Sequence, residues 1–193
     1  MNDRSKPHSL PRILARRDTG PSRLMRVEEV DLQFSNGVQR TFERIRARGL
    51  GAVMIVPLLD RNTVLLVREY AAGLHRYEIG LPKGRLEAGE TPEQGANREM
   101  QEEIGYAAKR FISLGYLTLA PGYMAHRTEL IVACDLYPKR LPGDEPEPLE
   151  TVRWPMDQLS ELVRRKDCSE GRSIAALFMT REILGTIFEH AKQ

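Results

Sequence analysis

A helix with well-marked ends, preceded by a glycine-rich loop, limits most strongly what this chain can fold into. Thr91 is followed by Pro92 and Gln94, which is typical of a helix start: the threonine caps the helix and the glutamine completes a capping box. Gly105 is typical of the position just past the last turn. The pattern predicts a helix over residues 92–104.

The predicted helix has two unlike faces. Ala96, Met100 and Ile104 recur every four residues and predict a buried edge. A second face carries Gly95, Glu99, Glu102 and Glu103. Two like charges about 4 Å apart repel by roughly 4 kcal/mol at an effective dielectric constant near 20, and a divalent cation would remove that repulsion. Because carboxylate oxygens prefer hard ions, this face predicts Mg²⁺ or Mn²⁺ rather than zinc; the alternative is a solvated face that binds no ion.

The loop before this helix favours phosphate chemistry. Gly80, Gly84 and Gly89 in GLPKGRLEAGE suit a tight loop whose backbone can approach a phosphate, and Lys83 adds a positive charge. Gly95 has no side chain, so another backbone or a ligand could come close to the helix there.

Composition excludes several classes of protein. The chain has 193 residues, of which 41% are hydrophobic and 29% charged, as in a globular protein with one substantial core. A net charge of +2 gives no electrostatic argument for nucleic acid, and no apolar run reaches the length of a membrane span. Cys134 and Cys168 are too few for a disulfide framework, which favours a cytoplasmic protein. Histidine and cysteine spacing argues against a zinc site.

The N-terminal region divides into two segments. Residues 1–24 are polar, basic and interrupted by prolines, which predicts a flexible segment. Residues 25–50 predict a β-hairpin that turns at Asn36-Gly37.

The register of the hairpin follows from its apolar residues. A two-residue loop would place the two apolar sets on opposite faces. A three-residue loop at positions 35–37 instead places Phe34 opposite Val38 and Val30 opposite Phe42. In that register Gly37 adopts the left-handed conformation.

Residues 51–193 mix strand and helix patterns. GAVMIVPLLD and TVLLVREY are almost continuously apolar, as strands covered on both faces are. Further strand candidates are RYEIG, FISLGYLTLA, RTELIVACDLYP and TVRW. KRLPGDEPEPLE is an acidic, proline-rich loop, Pro155 opens a short helix, and Ser173 caps a final one. The expected fold class is α/β: a sandwich built on a mixed sheet, with the N-terminal hairpin as an added antiparallel β-layer.

The spacing of Gly84, Glu90 and the run REMQEEIG at residues 98–105 resembles the Nudix box. Tyr106 is the one departure, since that position usually holds an aliphatic residue. The segments VREYAAG, ANRE, DLYP, GDEPEPL and VRWP resemble the NudE-type branch of this family, the ADP-compounds hydrolases. That branch is related to the ADP-ribose pyrophosphatases.

The resemblance implies a Nudix-type α/β/α sandwich and a hydrolase that uses Mg²⁺ or Mn²⁺ to cleave nucleoside diphosphates linked to another moiety. Glu99 and Glu103 would be metal ligands, Glu102 a further ligand, and Arg98 would orient Glu90 behind them. NudE-type enzymes cleave ADP-ribose, NADH and diadenosine polyphosphates and release AMP.

The resemblance also implies a catalytic base in the loop before the last strand. Glu147 is the first choice and Glu145 the second, while Glu150 lies in the same stretch. Candidate substrate-binding residues are Arg44, Arg46, Arg68, Lys83 and Tyr123. For Arg68 the alternative is a surface ion pair.

The implied partners are a small nucleoside diphosphate substrate and a second copy of the chain, because related enzymes dimerise through an N-terminal β-layer; neither nucleic acid nor a membrane is expected. The alternatives are a Nudix hydrolase of another substrate, such as GDP-mannose or a dinucleoside tetraphosphate, and a sensor that binds ADP-ribose without cleaving it. Lys83 in LPKG is compatible with the hypothesis of a dinucleoside tetraphosphate hydrolase. The intact set of box glutamates argues against the sensor.

Overall fold

The computed structural model describes residues 12–18, 25–47 and 49–189. Its strands are β1 (Arg12–Asp18), β2 (Met25–Gln33), β3 (Gln39–Ala47), β4 (Ala52–Pro57), β5 (Thr63–Ala71), β6 (Arg76–Gly80), β7 (Lys83–Arg85), β8 (Tyr106–Thr118), β9 (Met124–Ala125), β10 (Arg127–Pro138) and β11 (Glu150–Pro155). Its helices are α1 (Pro92–Glu103), α2 (Leu159–Leu162), which a 3-10 turn at Met156–Gln158 precedes, and α3 (Gly171–Glu189). None of the helices in this part of the chain is long and apolar enough to cross a membrane.

The described residues form two compact units. One consists of the described part of Met1–Gly49 together with Thr118–His126, and the other of Leu50–Leu117 with the described part of Arg127–Gln193. The segment Thr118–His126 therefore groups with the N-terminal β-layer, whereas the sequence pattern predicts it within the domain of residues 51–193.

The N-terminal unit is a four-stranded sheet in the order β1-β2-β3-β9. Its central hairpin has the predicted register: Val30 pairs with Phe42, and the backbone N–H of Phe34 donates to the carbonyl of Val38 at 2.9 Å. Gly37 has a φ of +83°, the left-handed conformation that the three-residue loop requires. The register prediction is confirmed.

Strand β1 corrects the prediction of a flexible segment over residues 1–24. Residues 12–18 pair antiparallel with β2, and Arg17 holds Asp31 across the two strands with an N···O distance of 2.7 Å. The Arg17 guanidinium lowers the pKa of Asp31 to about 2. In the sequence, a strand whose charged residues form ion pairs with a neighbouring strand cannot be told from a solvated polar tail, because the partners lie elsewhere in the chain. The rest of residues 1–24 lies outside the described residues.

The second unit contains the sheets β7-β4-β10-β8 and β11-β5-β6. Strands β4 and β10 are parallel, while β5 is antiparallel to both of its neighbours. Alternation along β4 divides the core, because successive side chains of a strand point to opposite faces. Met54 and Val56 belong to the cluster with Leu159 of α2 and Leu177 of α3. Val53 and Ile55 belong to the cluster with Ala96 and Met100 of α1. Helices therefore cover both faces of the strand layer, as an α/β/α sandwich requires.

The start of α3 differs from the prediction. The helix begins at Gly171, and the cap is Glu170, whose carboxylate accepts the backbone N–H of Ser173 at 2.7 Å. The hydroxyl of Ser173 is buried and instead accepts the N–H of Leu81 at 3.1 Å. Ser173 therefore satisfies a backbone group at the end of the β6 region, a long-range contact that no local capping rule contains.

Candidate active site

Helix α1 forms one wall of the site, and its ends are as predicted. The Thr91 hydroxyl accepts the N–H of Gln94 at 3.3 Å, and the Gln94 side chain accepts the N–H of Thr91 at 2.9 Å, so the capping box is complete. Gly105 follows the helix with a φ of +72°. The predicted edge of Ala96, Met100 and Ile104 is buried. This anchoring fixes the rotation of the helix and turns its glutamates away from the core.

Two glycines bring the loop and the helix together. A Cβ added at Gly84 would lie 1.9 Å from Glu99 Oε1, so only glycine leaves room for that carboxylate. A Cβ added at Gly95 would lie 2.5 Å from Leu86 Cδ2. The group that approaches the helix at Gly95 is therefore a loop side chain, not the backbone or ligand that the sequence analysis expected.

Arg98 connects three carboxylates. Its Nε and Nη2 donate to Glu90 at 2.8 and 3.1 Å. Its Nη1 donates to Glu99 at 2.9 Å and to Glu102 at 3.1 Å. The guanidinium lowers the pKa of Glu90. The contact between Arg98 and Glu90 that the resemblance implies is present, and the same guanidinium also neutralises part of the charge of the glutamate face.

Glu99 and Glu103 are carboxylates buried without full compensation. Their exposed fractions are 9% and 8%. Burial raises the pKa of Glu103 to about 8 against the opposing charge of Lys83, and burial also raises the pKa of Glu99. Among the described residues, one hydrogen bond reaches the Glu103 carboxylate, from the backbone N–H of Lys83 at 3.3 Å. A buried carboxyl group with so few hydrogen-bond partners as Glu103 fits a hard divalent cation, which would hold the group in its anionic form.

The carboxylates of the glutamate face do not already form a ready-made metal site. Within the described ranges, no three His, Cys, Asp or Glu side chains already surround one point. Two of these carboxylates are held by Arg98, whose guanidinium donates hydrogen bonds to Glu99 and Glu102. A cation would compete with Arg98 for these two carboxylates, and it would find Glu103 without such a partner.

A cavity of about 920 Å³ opens over the glutamate face. Its walls are the loop before α1, the helix itself and an acidic loop that we define as residues 139–149. The cavity brings together all of the predicted catalytic and metal-binding side chains, namely Glu99, Glu102, Glu103 and Glu147. The second candidate base, Glu145, and the substrate-binding candidate Lys83 also line it.

The two candidate bases of the acidic loop have different surroundings. Glu147 accepts a hydrogen bond from the phenol of Tyr77. Burial raises the pKa of Glu145, and the charges of Glu69 and Asp144 raise it further. Glu145 therefore faces the acidic side of the cavity. Glu147 is instead hydrogen-bonded to Tyr77, which does not line the cavity.

Arg68 and Glu150 lie outside the cavity and are bonded to each other. Arg68 Nε donates to Glu150 at 2.9 Å and its Nη1 donates to Asp167 at 2.9 Å. The structure does not bring Arg68 to the site; it places the residue in the ion pair that the sequence analysis gave as the alternative.

Three other substrate-binding candidates belong to the N-terminal unit. Arg44 and Arg46 both pair with Glu28 there. The side chain of Tyr123 is 55% exposed, and its carbonyl accepts the N–H of Ile45 at 2.7 Å. These three residues are not among those that line the cavity.

Sequence reasoning missed Glu69 and Tyr77. Glu69 forms an ion pair with Lys83 beside Glu103, and a charge inside the apolar run TVLLVREY was the available signal for it. Tyr77 carried no such signal, because its contact with Glu147 joins positions 70 residues apart.

Comparisons with known families identify the fold. A model described as the NUDIX domain matches residues 50–177, and a model of the NudE-type Nudix hydrolase N-terminal domain matches residues 11–44. The chain belongs to the Nudix hydrolase family. It is therefore a hydrolase of the pyrophosphatase type, and both the family recognition and the fold class are confirmed.

Individual relatives agree with this assignment. The chain is 46% identical over 180 residues to the ADP compounds hydrolase NudE of Escherichia coli (strain K12), which covers 93% of this chain and 96% of that Nudix protein. The crystal structure of an ADP compounds hydrolase superimposes with a TM-score of 0.86 at 45% identity, covering 95% of this chain and 99% of that one. The ADP-ribose pyrophosphatase of Bacillus subtilis (strain 168) is 26% identical over 149 residues, covering 76% and 80% of the two chains.

Proposed function

We propose that this Nudix hydrolase cleaves the diphosphate of ADP-linked compounds, among them ADP-ribose, NADH and diadenosine polyphosphates, with water and releases AMP. The observation that carries the proposal is the pair of buried carboxylates, Glu99 and Glu103, facing a cavity of about 920 Å³ beneath the acidic loop. The similarity to the E. coli ADP compounds hydrolase, over 93% of the chain, supports the choice of ADP-linked substrates.

In this proposal the glutamate face holds Mg²⁺ or Mn²⁺. Glu99 and Glu103 are the ligands and Glu102 assists, since all three carboxylates line the cavity. When bound, the metal would neutralise the diphosphate and make a water molecule more acidic. Arg98 keeps Glu90 and the helix face in place, and Lys83, whose charge acts on Glu103, supplies a positive charge for the substrate phosphates.

The base that takes the proton of the attacking water is Glu145 in this proposal, ahead of Glu147. A general base works best when its pKa is close to the working pH, and burial raises the pKa of Glu145 in that direction. Glu145 and Glu103 also share Lys83 and Glu69 as charged neighbours. Glu147 already accepts the Tyr77 phenol. The resemblance to the family favours Glu147 instead, and substitution by glutamine at each position separates the two.

The N-terminal β-layer is proposed to form a homodimer. Val38 and Phe42 are 39% and 44% exposed on the hairpin, and apolar side chains in such a position favour a partner surface. The partner copy would then bring Arg44 and Arg46 to the substrate. A cytoplasmic location fits two cysteines that are both free and buried.

Product analysis tests the substrate class. The enzyme would be incubated with Mg²⁺ or Mn²⁺ and ADP-ribose, NADH, diadenosine triphosphate, diadenosine tetraphosphate or GDP-mannose, and the products separated by chromatography. We expect AMP from the ADP-linked compounds and slow turnover of GDP-mannose. GDP-mannose as clearly the best substrate would refute the proposed substrate class, although it would leave the Nudix chemistry intact.

Substitution of the glutamate face tests the catalytic assignment. Glu99→Gln and Glu103→Gln should each lower kcat by about two orders of magnitude or more, because the loss of one metal ligand removes several kcal/mol of charge stabilisation. Glu93→Gln on the exposed side of α1 is the matched control and should retain activity. Normal turnover by either buried-site variant would contradict the assignment.

A further inference from the structure

A cluster of exposed rings lies beside the acidic loop. Tyr70 and Tyr77 are directly paired across β5 and β6, and their ring centroids are 5.7 Å apart at an angle of 65°. The Tyr70 hydroxyl is hydrogen-bonded to His75 Nδ1. The two tyrosine side chains are 43% and 47% exposed and belong to neither hydrophobic core. Core packing therefore does not explain the positions of these two tyrosines.

The acidic loop is fixed at its two ends. Near its start, the N–H groups of Lys139 and Leu141 donate to the carbonyls of Gly105 and Gln101 at 3.0 and 3.1 Å. Its end continues directly into β11, which pairs with β5.

Between these ends the loop has few groups with which to hold itself. Pro142, Pro146 and Pro148 have no N–H to donate. For residues 142–149, the one hydrogen bond found in the described structure is that from the Tyr77 phenol to Glu147. A bond to a carboxylate is about twice as strong as a neutral one. Glu147 raises the pKa of Tyr77, so the phenol remains a protonated donor.

We propose that Tyr77 is a positioning residue for catalysis: its phenol holds Glu147 and so keeps Glu145 directed into the cavity. Tyr70 packs against the Tyr77 ring and fixes its orientation. The inference rests on the proposed function, in which Glu145 is the base. It gives Glu147 the role of an anchor, although the residue lines the cavity.

This arrangement predicts that loss of the Tyr77 phenol impairs catalysis without impairing metal binding. Removal of the phenol frees the middle of the acidic loop, so Glu145 is in place for a smaller fraction of the time and kcat falls. The glutamate face of α1 does not depend on this bond, because Arg98, Gly84 and the capping box hold it. Metal affinity and thermal stability should therefore change little.

The test is Tyr77→Phe, which keeps the ring and removes the hydroxyl. We expect kcat for ADP-ribose to fall about tenfold, the value of one charge-assisted hydrogen bond, with Mn²⁺ affinity and Tm close to wild type. Tyr116→Phe is the matched control: Tyr116 is 57% exposed, its ring contacts Arg127, and it does not line the cavity. It should leave kcat unchanged. A wild-type kcat for Tyr77→Phe would overturn the inference.

Variants of Glu147 test whether this residue anchors the acidic loop or acts as the catalytic base. Glu147→Gln keeps an oxygen that accepts the phenol, so it should lower kcat only several-fold, whereas Glu145→Gln should lower it about a hundredfold or more. Glu147→Leu should match Tyr77→Phe, and the double variant should be no worse than either, since both changes remove one bond. Glu147→Gln as damaging as Glu145→Gln, or additive losses in the double variant, would refute the positioning role.

Failure of this inference is distinguishable from failure of the proposed function. If Glu99→Gln and Glu103→Gln are inactive while Tyr77→Phe behaves as wild type, the positioning role alone is wrong. If Glu99→Gln or Glu103→Gln turns over ADP-ribose normally, the metal-dependent mechanism is wrong and the inference fails with it.

Discussion

Replacing Glu103 by glutamine should stabilise the metal-free protein at alkaline pH while it removes a metal ligand. Burial raises the pKa of Glu103 from an ordinary 4.5 to about 8. The folded protein therefore binds a proton at this position more tightly than the unfolded chain does. For a carboxyl group with a raised pKa, the stabilising contribution is fully present below about pH 4.5 and is lost as the pH rises to about 8.

The structure sets the magnitude of this effect. A difference of about 3.5 pKa units at 1.36 kcal/mol each gives an upper limit of about 5 kcal/mol. Relaxation of the site and entry of water reduce this, so we expect about 2–4 kcal/mol at pH 8. That is a large part of the 5–15 kcal/mol by which an ordinary domain is stable. Glutamine has the shape of the protonated acid and no charge. Glu103→Gln should therefore not lose unfolding free energy as the pH rises to about 8.

The assay is chemical denaturation in the presence of EDTA at several pH values. The free energies of unfolding of wild type and Glu103→Gln should agree near pH 4 and diverge in favour of the variant by about 2–4 kcal/mol near pH 8. Glu87→Gln, a change at an exposed glutamate of the same cavity, is the control and should show no such divergence. A difference that does not depend on pH, or a variant less stable than wild type at pH 8, would refute the reasoning.

Three further predictions concern the loop, the core and the metal. Gly84→Ala should abolish most activity, because its Cβ would lie 1.9 Å from Glu99 Oε1; wild-type kcat in that variant would show that the Glu99 position is unimportant. Ser173→Ala should lower the free energy of unfolding by about 1–3 kcal/mol, since it leaves the buried N–H of Leu81 without its acceptor; denaturation curves that coincide with wild type would contradict this. Saturating Mg²⁺ should raise the Tm of wild type by binding the folded state, and an equal rise in Glu103→Gln would place the ion elsewhere.

Features that depend on a few neighbouring residues could be predicted from the sequence. The capping box at Thr91 and Gln94 uses side chains three positions apart, and the hairpin register follows from one glycine and the alternation around it. The buried edge of α1 follows from a four-residue repeat, which also oriented the glutamates. Most of the candidate site is carried by this one helix and its loop, so it was largely predictable.

Features that depend on a distant partner were missed or misplaced. Strand β1 looks like a polar tail until β2 supplies acidic partners for its arginines. Ser173 looks like a cap until Leu81 requires its hydroxyl. For Arg68 the sequence leaves substrate contact and an ion pair as alternatives, because its partners, Glu150 and Asp167, lie 82 and 99 residues away. Such contacts depend on how the strands assemble, and no local pattern encodes them.

The most direct test of the central claim is binding of Mn²⁺, measured by electron paramagnetic resonance on wild type, Glu99→Gln and Glu103→Gln without substrate. The account predicts that wild type removes free Mn²⁺ from solution and that each variant does so at least tenfold more weakly, because each loses one buried ligand. Equal affinity in all three proteins would mean that the buried carboxylates of α1 do not hold the metal, and would contradict the account.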